Sequence, residues 1–188
     1  PLESGGFWLS ETPNEYSRSW ETRVARSATW ALFGVLVTDL SFLHLNTHLD
    51  HVSALARREG SKLVVRRIAE IACRADVDPP SIITGDFNSR PGNKIHKTFT
   101  ESGFVDTYLA AGNEEGANTF HAFRGAGAYP ARGPLRIDWI LMKDPKGRLG
   151  VDSHRIIHDA DENSGLYPSD HFPILAGFSI SASQHASA

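Results

Sequence analysis

The feature that most constrains this chain is a recurring arrangement: short apolar runs of strand-forming residues that abut small polar or ionisable side chains. Residues 41–45 (SFLHL) run into Asn46, Thr47 and His48, and residues 81–84 (SIIT) run into Gly85, Asp86, Phe87 and Asn88. Asp138 lies inside 136–142 (RIDWILM), and Ser169, Asp170 and His171 stand directly before the apolar run 172–180. Branched and aromatic residues bounded by turn formers read as strands. Polar groups gathered at strand ends converge on one rim, where a rigid scaffold can hold them.

The rest of the chain supplies the layers such a rim needs. A strand over 7–10 and a β pair over 28–37 and 41–45 open the chain, with a long polar loop at 11–26 between them. A helix is expected over 53–74 with Ser53 as its N-cap, because Ala56, Gly60, Val64, Ile68 and Ala72 recur every four residues and Leu63 and Ile71 widen that stripe. A glycine inside a helix costs about 1 kcal/mol against alanine, so Gly60 on the apolar face predicts close approach to a neighbouring strand. Arg58, Lys62 and Arg66 form a basic row on another face, read as a solvated surface rather than a nucleic-acid contact. A second helix is expected over 93–102, stopped by Gly103, and a further turn or two over 106–111, ended by Gly112. Residues 125–133 (GAGAYPARG) read as a flexible loop and 181–188 as a frayed tail. Strands outnumber helices and helices fall between strands, which predicts an α/β or α+β sandwich in one domain over 1–180.

Taken singly, each polar motif has an ordinary explanation. A lone histidine such as His48 is more often a satisfied, half-buried side chain, and Asp86 with Asn88 after a glycine could simply form a turn. Asp138 is harder to dismiss, because aspartate is disfavoured within a strand and needs a partner if buried. Together the motifs supply histidines, aspartates and an asparagine to one rim, and that set suits phosphoryl hydrolysis. An anionic phosphate ester resists water, so it needs charge neutralisation, an oriented nucleophile and an aligned leaving group. Carboxylates suit a hard cation such as Mg²⁺ or Mn²⁺. Histidines donate to phosphoryl oxygens, and a carboxylate can orient a histidine through its other N–H.

At NTHLDH (46–51), TGDFNSRP (84–91), RIDWIL (136–141) and YPSDHFPI (167–174) the sequence resembles the endonuclease/exonuclease/phosphatase family, with its deoxyribonuclease-I-like sandwich of two sheets flanked by helices. The opening ESGGFWLSETP, with SRSW and RSATW, resembles a bacterial hydrolase branch of that family. The resemblance implies that His48 contacts the scissile phosphate and that His171 either does the same or supports the metal–water network. It further implies that Asp86 orients or deprotonates the attacking water, that Asn88 steadies the transition state, and that Asp138 pairs with His171. It makes Asp170 a metal carboxylate, Arg26 a phosphate-side arginine and Thr119 a substrate contact. The family also carries an Asn, a metal-binding Glu and a further acidic residue on earlier strands. No position of this sequence matches them, and it starts at Pro1, so it is read as the C-terminal part of the fold, expected to turn over weakly by itself and to self-associate through an exposed sheet edge.

The expected activity is a metal-dependent phosphoesterase with Mg²⁺ or Mn²⁺ as cofactor. The substrate class is open, and nucleic acid stays among the candidates although the net charge of −3 gives no duplex-binding footprint. Two alternatives compete: a non-catalytic binding module that keeps the fold, and a zinc hydrolase built on His48 and His51, whose HxxH spacing lacks the helical i, i+4 geometry of zinc motifs. Cys73 is the only cysteine, so no internal disulfide forms and the compartment is left undecided. No apolar run approaches the ~18 residues of a membrane span, and no signal peptide is visible.

Overall fold

The computed structural model describes residues 1–36, 38–74, 78–125 and 133–181. Most of the loop expected over 125–133, the tail beyond 181 and the last position of the strand expected over 28–37 lie outside the described residues. Eleven elements follow in the order β1 (Glu3–Trp8), β2 (Ser27–Gly34), β3 (Ser41–His48), α1 (Ala54–Arg74), β4 (Ser81–Asp86), α2 (Lys94–Thr100), β5 (Val105–Asp106), α3 (Thr107–Ala110), β6 (Asp138–Lys143), β7 (Leu149–Ile156) and β8 (Ile174–Ile180). They form a six-stranded mixed sheet in the order β1-β2-β3-β4-β6-β5 and a two-stranded sheet of β7 and β8. This is the two-sheet α/β architecture of the deoxyribonuclease-I-like fold.

Within the large sheet only β3 and β4 are parallel, and α1 makes the crossover between them. A parallel pair needs such a connection. Ser53 caps α1 as its sequence predicts: its hydroxyl accepts the Ala56 N–H at 3.0 Å. Asn93 does the same for α2, accepting from Ile95 and His96 at 2.9 and 3.0 Å. The apolar stripe of α1, with Leu63, Val64, Ile68 and Ile71, covers one face of the sheet, where Leu43, Leu45, Ile83, Trp139 and Leu141 are buried. Gly60 faces the side chains of Leu9 and Leu49, each 3.6 Å from where a Cβ would sit. It therefore meets side chains just past β1 and β3 in ordinary contact, without the expected close approach to a strand.

Strand alternation sends the residues between those core positions to the opposite face. His44, Asn46 and His48 of β3, Thr84 and Asp86 of β4, and Asp138 and Ile140 of β6 stand there together, lining one cleft with Phe172, Pro173 and Ile174 of the small-sheet side. The basic row of α1 is solvated as read, with Arg58 and Lys62 bound to Glu59 at 2.9 and 3.1 Å and Arg66 3.8 Å from Glu70. Among the described residues, no helix is long and apolar enough to cross a membrane.

Candidate active site

The site sits where the parallel strands β3 and β4 end side by side, with His48 paired to Asp86 in the register. β3 and β4 run on through the polar residues that the sequence pattern places after them, so the ladder itself fixes His48 and Asp86. Gly85 makes this possible. At φ +149° its hydrogen faces β3, and a Cβ there would lie 1.8 Å from the Thr47 carbonyl oxygen. Any side chain at 85 would push β4 away from β3 and move Asp86.

Asp86 is the hub. Its Oδ1 accepts the Asn88 main-chain N–H at 2.7 Å, and its Oδ2 lies 3.2 Å from His48 Nε2 and 4.0 Å from His171 Nε2. On the antiparallel neighbour β6, Asp138 stands opposite Asp86. Its Oδ2 accepts from His171 Nδ1 at 2.8 Å. That bond fixes the proton on Nδ1 and leaves Nε2 facing Asp86. The bond to Asp138 is the chief cause holding the His171 pKa above the ordinary imidazole value; burial opposes it, and the charges of Asp138, Asp86 and Asp170 add to it. The Phe120 ring packs edge-on to the His171 imidazole, centroids 4.9 Å apart. His48 is the most open member, with its side chain 52% exposed at the mouth of a cleft of about 510 Å³.

The other residues expected in the site divide. Asn88, at φ +46°, donates from its side-chain amide to the Leu49 carbonyl at 2.9 Å and to Asp86 Oδ2 at 3.3 Å, so it braces the aspartate. Thr119 is fully buried. Its hydroxyl donates to Leu135 O and accepts from the Ile137 and Asp138 amides at 3.0 and 3.2 Å, which anchors the entry of β6 from behind. Arg26 is engaged one step outside the cluster, 2.9 Å from His51 Nδ1 and 3.9 Å from Asp50 Oδ2. Asp170 uses its main-chain carbonyl to accept the His121 and Ala122 amides at 2.9 and 3.0 Å.

Among the described residues, one group could hold a cation: Asp86, Asp138 and His171, whose candidate ligand atoms all lie within 4.8 Å of one another. Neither Asp170 nor the His48 and His51 pair belongs to such a group. Two carboxylates with one imidazole offer oxygen and nitrogen donors to a divalent cation. Unassigned by the sequence reading were His44 and Thr84, which line the cleft below His48. His44 Nε2 lies 2.9 Å from Thr84 Oγ1, as does the Asn46 amide at 2.8 Å, and burial lowers the His44 pKa. Their signal was alternation: each stands two or four residues from a site residue on its own strand, on the same face.

Residues 9–171 match the Endonuclease/Exonuclease/phosphatase family. The solved structure of a mannosyl-6-phosphatase from Bacteroides thetaiotaomicron is 28% identical, superposes with a TM-score of 0.81, and aligns with 95% of this chain and 66% of its own. An endonuclease/exonuclease/phosphatase structure from Bacteroides vulgatus is 34% identical, with a TM-score of 0.78 over 96% of this chain and 66% of its own. Among curated proteins, the CCR4-Not complex 3'-5'-exoribonuclease subunit Ccr4 of Candida albicans is 28% identical over an alignment of 138 positions that covers 62% of this chain and 18% of that protein.

Proposed function

This chain belongs to the endonuclease/exonuclease/phosphatase family, and from that premise we propose that it is a divalent-metal-dependent phosphoesterase that cleaves a phosphodiester or phosphomonoester by direct attack of water. One observation carries the reading: Asp86, Asp138 and His171 converge within 4.8 Å at the edge of an open cleft that His48 also borders. The relatives' names, a mannosyl-6-phosphatase and an exoribonuclease, agree on phosphate-ester hydrolysis and differ in substrate.

Of this group the carboxylates Asp86 and Asp138 would hold Mg²⁺ or Mn²⁺, which when bound neutralises negative charge on the phosphoryl oxygens, while His171, with Nδ1 bonded to Asp138 and a raised pKa, serves as a hydrogen-bond donor. The chain's own side chains do the rest. Asp86 accepts a proton from the water as the water oxygen attacks phosphorus and the ester P–O bond breaks, the departing alkoxide taking a proton from solvent; Asn88 keeps that carboxylate aimed by donating to both its oxygens. His48 and His171 donate to phosphoryl oxygens as charge grows there. Asp138 fixes the His171 tautomer and supports its protonated form. Arg26, Thr119 and Asp170 act on the site through their neighbours: Arg26 through Asp50 and His51, Thr119 through the amide of Asp138, and Asp170 through its charge on His171.

The test is hydrolysis of bis(4-nitrophenyl) phosphate and 4-nitrophenyl phosphate with Mg²⁺ or Mn²⁺. Rates for this chain are expected to be low but metal-dependent and abolished by EDTA. His48→Ala, Asp86→Ala and His171→Ala should each cut them at least roughly a hundredfold, with the melting temperature little changed. Release that ignores EDTA, or a normal rate in Asp86→Ala, would overturn the reading.

A further inference from the structure

We propose that the groove between the starts of α1 and α2 is a second anion subsite, which takes a further phosphoryl group of the same substrate molecule. The preferred substrate then carries at least two phosphates. This rests on the phosphoesterase reading and deepens it.

The groove has a volume of about 590 Å³. Arg57, Arg58, Arg90 and Lys94 line it, and no carboxylate lines it among the described residues. The whole chain carries a net charge of −3, so this concentration of positive charge is local and is not a by-product of composition. Arg58 is only partly neutralised: it lies 2.9 Å from Glu59, and that one carboxylate is shared with Lys62 at 3.1 Å. Arg57 is fixed on the groove wall by donating from Nη1 to the Asp50 carbonyl at 2.8 Å.

Its position ties the groove to the reaction. α1 follows β3 and α2 follows β4, and these parallel strands end at His48 and Asp86. In open sheets, ligands sit outside the carboxyl ends of parallel strands. Asn88 lines the groove and also donates to Asp86, so one side chain borders the groove and touches the reacting centre. The first amides of both helices are already capped, by Ser53 and Asn93. The attraction for an anion therefore comes from the side-chain cations, and such a field concentrates polyanionic ligands. The plain alternative is a row of solvated cations that binds nothing. It differs in predicting no discrimination between one phosphate and two.

The test compares substrates that differ by one phosphate. One arm sets glucose 1,6-bisphosphate against glucose 6-phosphate; the other sets a thymidine dinucleotide with a 5′-phosphate against the same dinucleotide without it. The double variant Arg58→Glu, Lys94→Glu should lower kcat/KM about tenfold or more on the two-phosphate member of one arm, the scale of two exposed charge contacts reversed. It should stay within about twofold on the one-phosphate members. The arm that responds identifies the scaffold carrying the second phosphate. Equal losses on all four substrates, or no loss on any, overturns the subsite. If the chain hydrolyses nothing, the phosphoesterase reading fails by itself, and the groove is read separately by titrating inorganic tripolyphosphate while following main-chain amide resonances. Shifts at Ser89 and Ile95, which line the groove and are unchanged in the double variant, support an anion site if they disappear in that variant, and their absence in the unaltered chain overturns it.

Discussion

Two histidine–aspartate assemblies flank β6, and their pairing distances are nearly the same: 2.8 Å for His171 with Asp138 and 3.0 Å for His96 with Asp106. Their surroundings differ. The His171 and Asp138 side chains are 26% and 17% exposed, against 8% and 2% for His96 and Asp106. The buried aspartate also receives Arg136, with contacts of 3.3 and 2.7 Å to its two oxygens, and Arg136 in turn binds Glu115 at 2.6 Å and lies 4.6 Å over the Tyr108 ring. Burial alone would raise the Asp106 pKa. The bonds from His96 and Arg136 and the arginine's charge outweigh it and hold the carboxyl at about 2. Among the described residues Asp138 has no such cation; its partner is a histidine whose own pKa rises in response. A short His–Asp bond therefore does not mark an active site. What separates the two assemblies is access to solvent and whether the charge is already compensated. The compensated assembly holds the fold, and the uncompensated one still has charge to offer a ligand.

Arg136→Ala should give the largest effect on stability. It leaves the Asp106 carboxylate buried without its cation, and breaking a buried ion pair by removing one partner costs about 3–5 kcal/mol. Equilibrium urea unfolding measures it. A loss under about 1 kcal/mol would mean the buried assembly is not what holds α3 and β5 to β6.

The second prediction uses pH on the same assembly. His154, 5% exposed, packs beside it with Nδ1 2.8 Å from the Thr107 hydroxyl, which donates onward to the Ile140 carbonyl. Burial is the main cause that lowers the His154 pKa to about 4; the Asp106 charge works against it and the Arg136 charge with it. Because the folded value is depressed below 6.5, the unfolded chain binds the proton first as pH falls. The contribution is fully present above pH 6.5 and is lost between about 6.5 and 4, on the order of 3 kcal/mol. Asp106 extends the loss at lower pH, between its ordinary 3.8 and about 2. His171, with a raised pKa, acts in the opposite direction, so the informative quantity is the difference between this chain and His154→Asn. That variant should flatten the fall in stability between pH 7 and pH 4, and an unchanged slope would remove His154 from the account.

Much of this contrast was legible in the sequence, and the part that was not has physical causes. The strand-end motifs, the β2–β3 pair and the Ser53 cap follow from residue types and spacing, and the Asp138–His171 bond from the family resemblance. Strand limits were less legible. β3 and β4 continue through Asn46–His48 and Gly85–Asp86, because hydrogen bonds to neighbouring strands override the poor strand propensity of Asn, Gly and Asp. β1 covers Glu3–Trp8 and not 7–10, since its polar, glycine-rich start is set by pairing with β2. β7 was missed outright: Leu149–Ile156 buries only His154 and shows no apolar alternation. The role of Arg136 was equally hidden. In RIDWI the aspartate draws attention, whereas the arginine two positions earlier finds partners that lie 21 and 30 residues away in the chain.

The smallest expected effect on stability is the one that separates the two assemblies most sharply. Asp138→Asn and Asp106→Asn make the same chemical change in bonds of nearly equal length. At 106 the change deprives the buried Arg136 of a charged partner, leaving Glu115, which is itself 45% exposed, as its remaining counter-charge. The loss there should be about 3 kcal/mol, the scale of a broken buried pair. At 138 the pair is partly open to water, and the asparagine oxygen can still accept from His171 Nδ1, so the loss should stay below about 1 kcal/mol, the usual limit for exposed pairs. Hydrolysis should show the reverse order. Asp138→Asn removes the charge that supports protonated His171 and one carboxylate of the cation group, whereas Asp106→Asn touches neither. Thermal unfolding and 4-nitrophenyl ester hydrolysis on the two variants decide it. If Asp138→Asn destabilises as much as Asp106→Asn, the rim pair is holding the fold together, and the division between a structural and a reactive assembly is wrong.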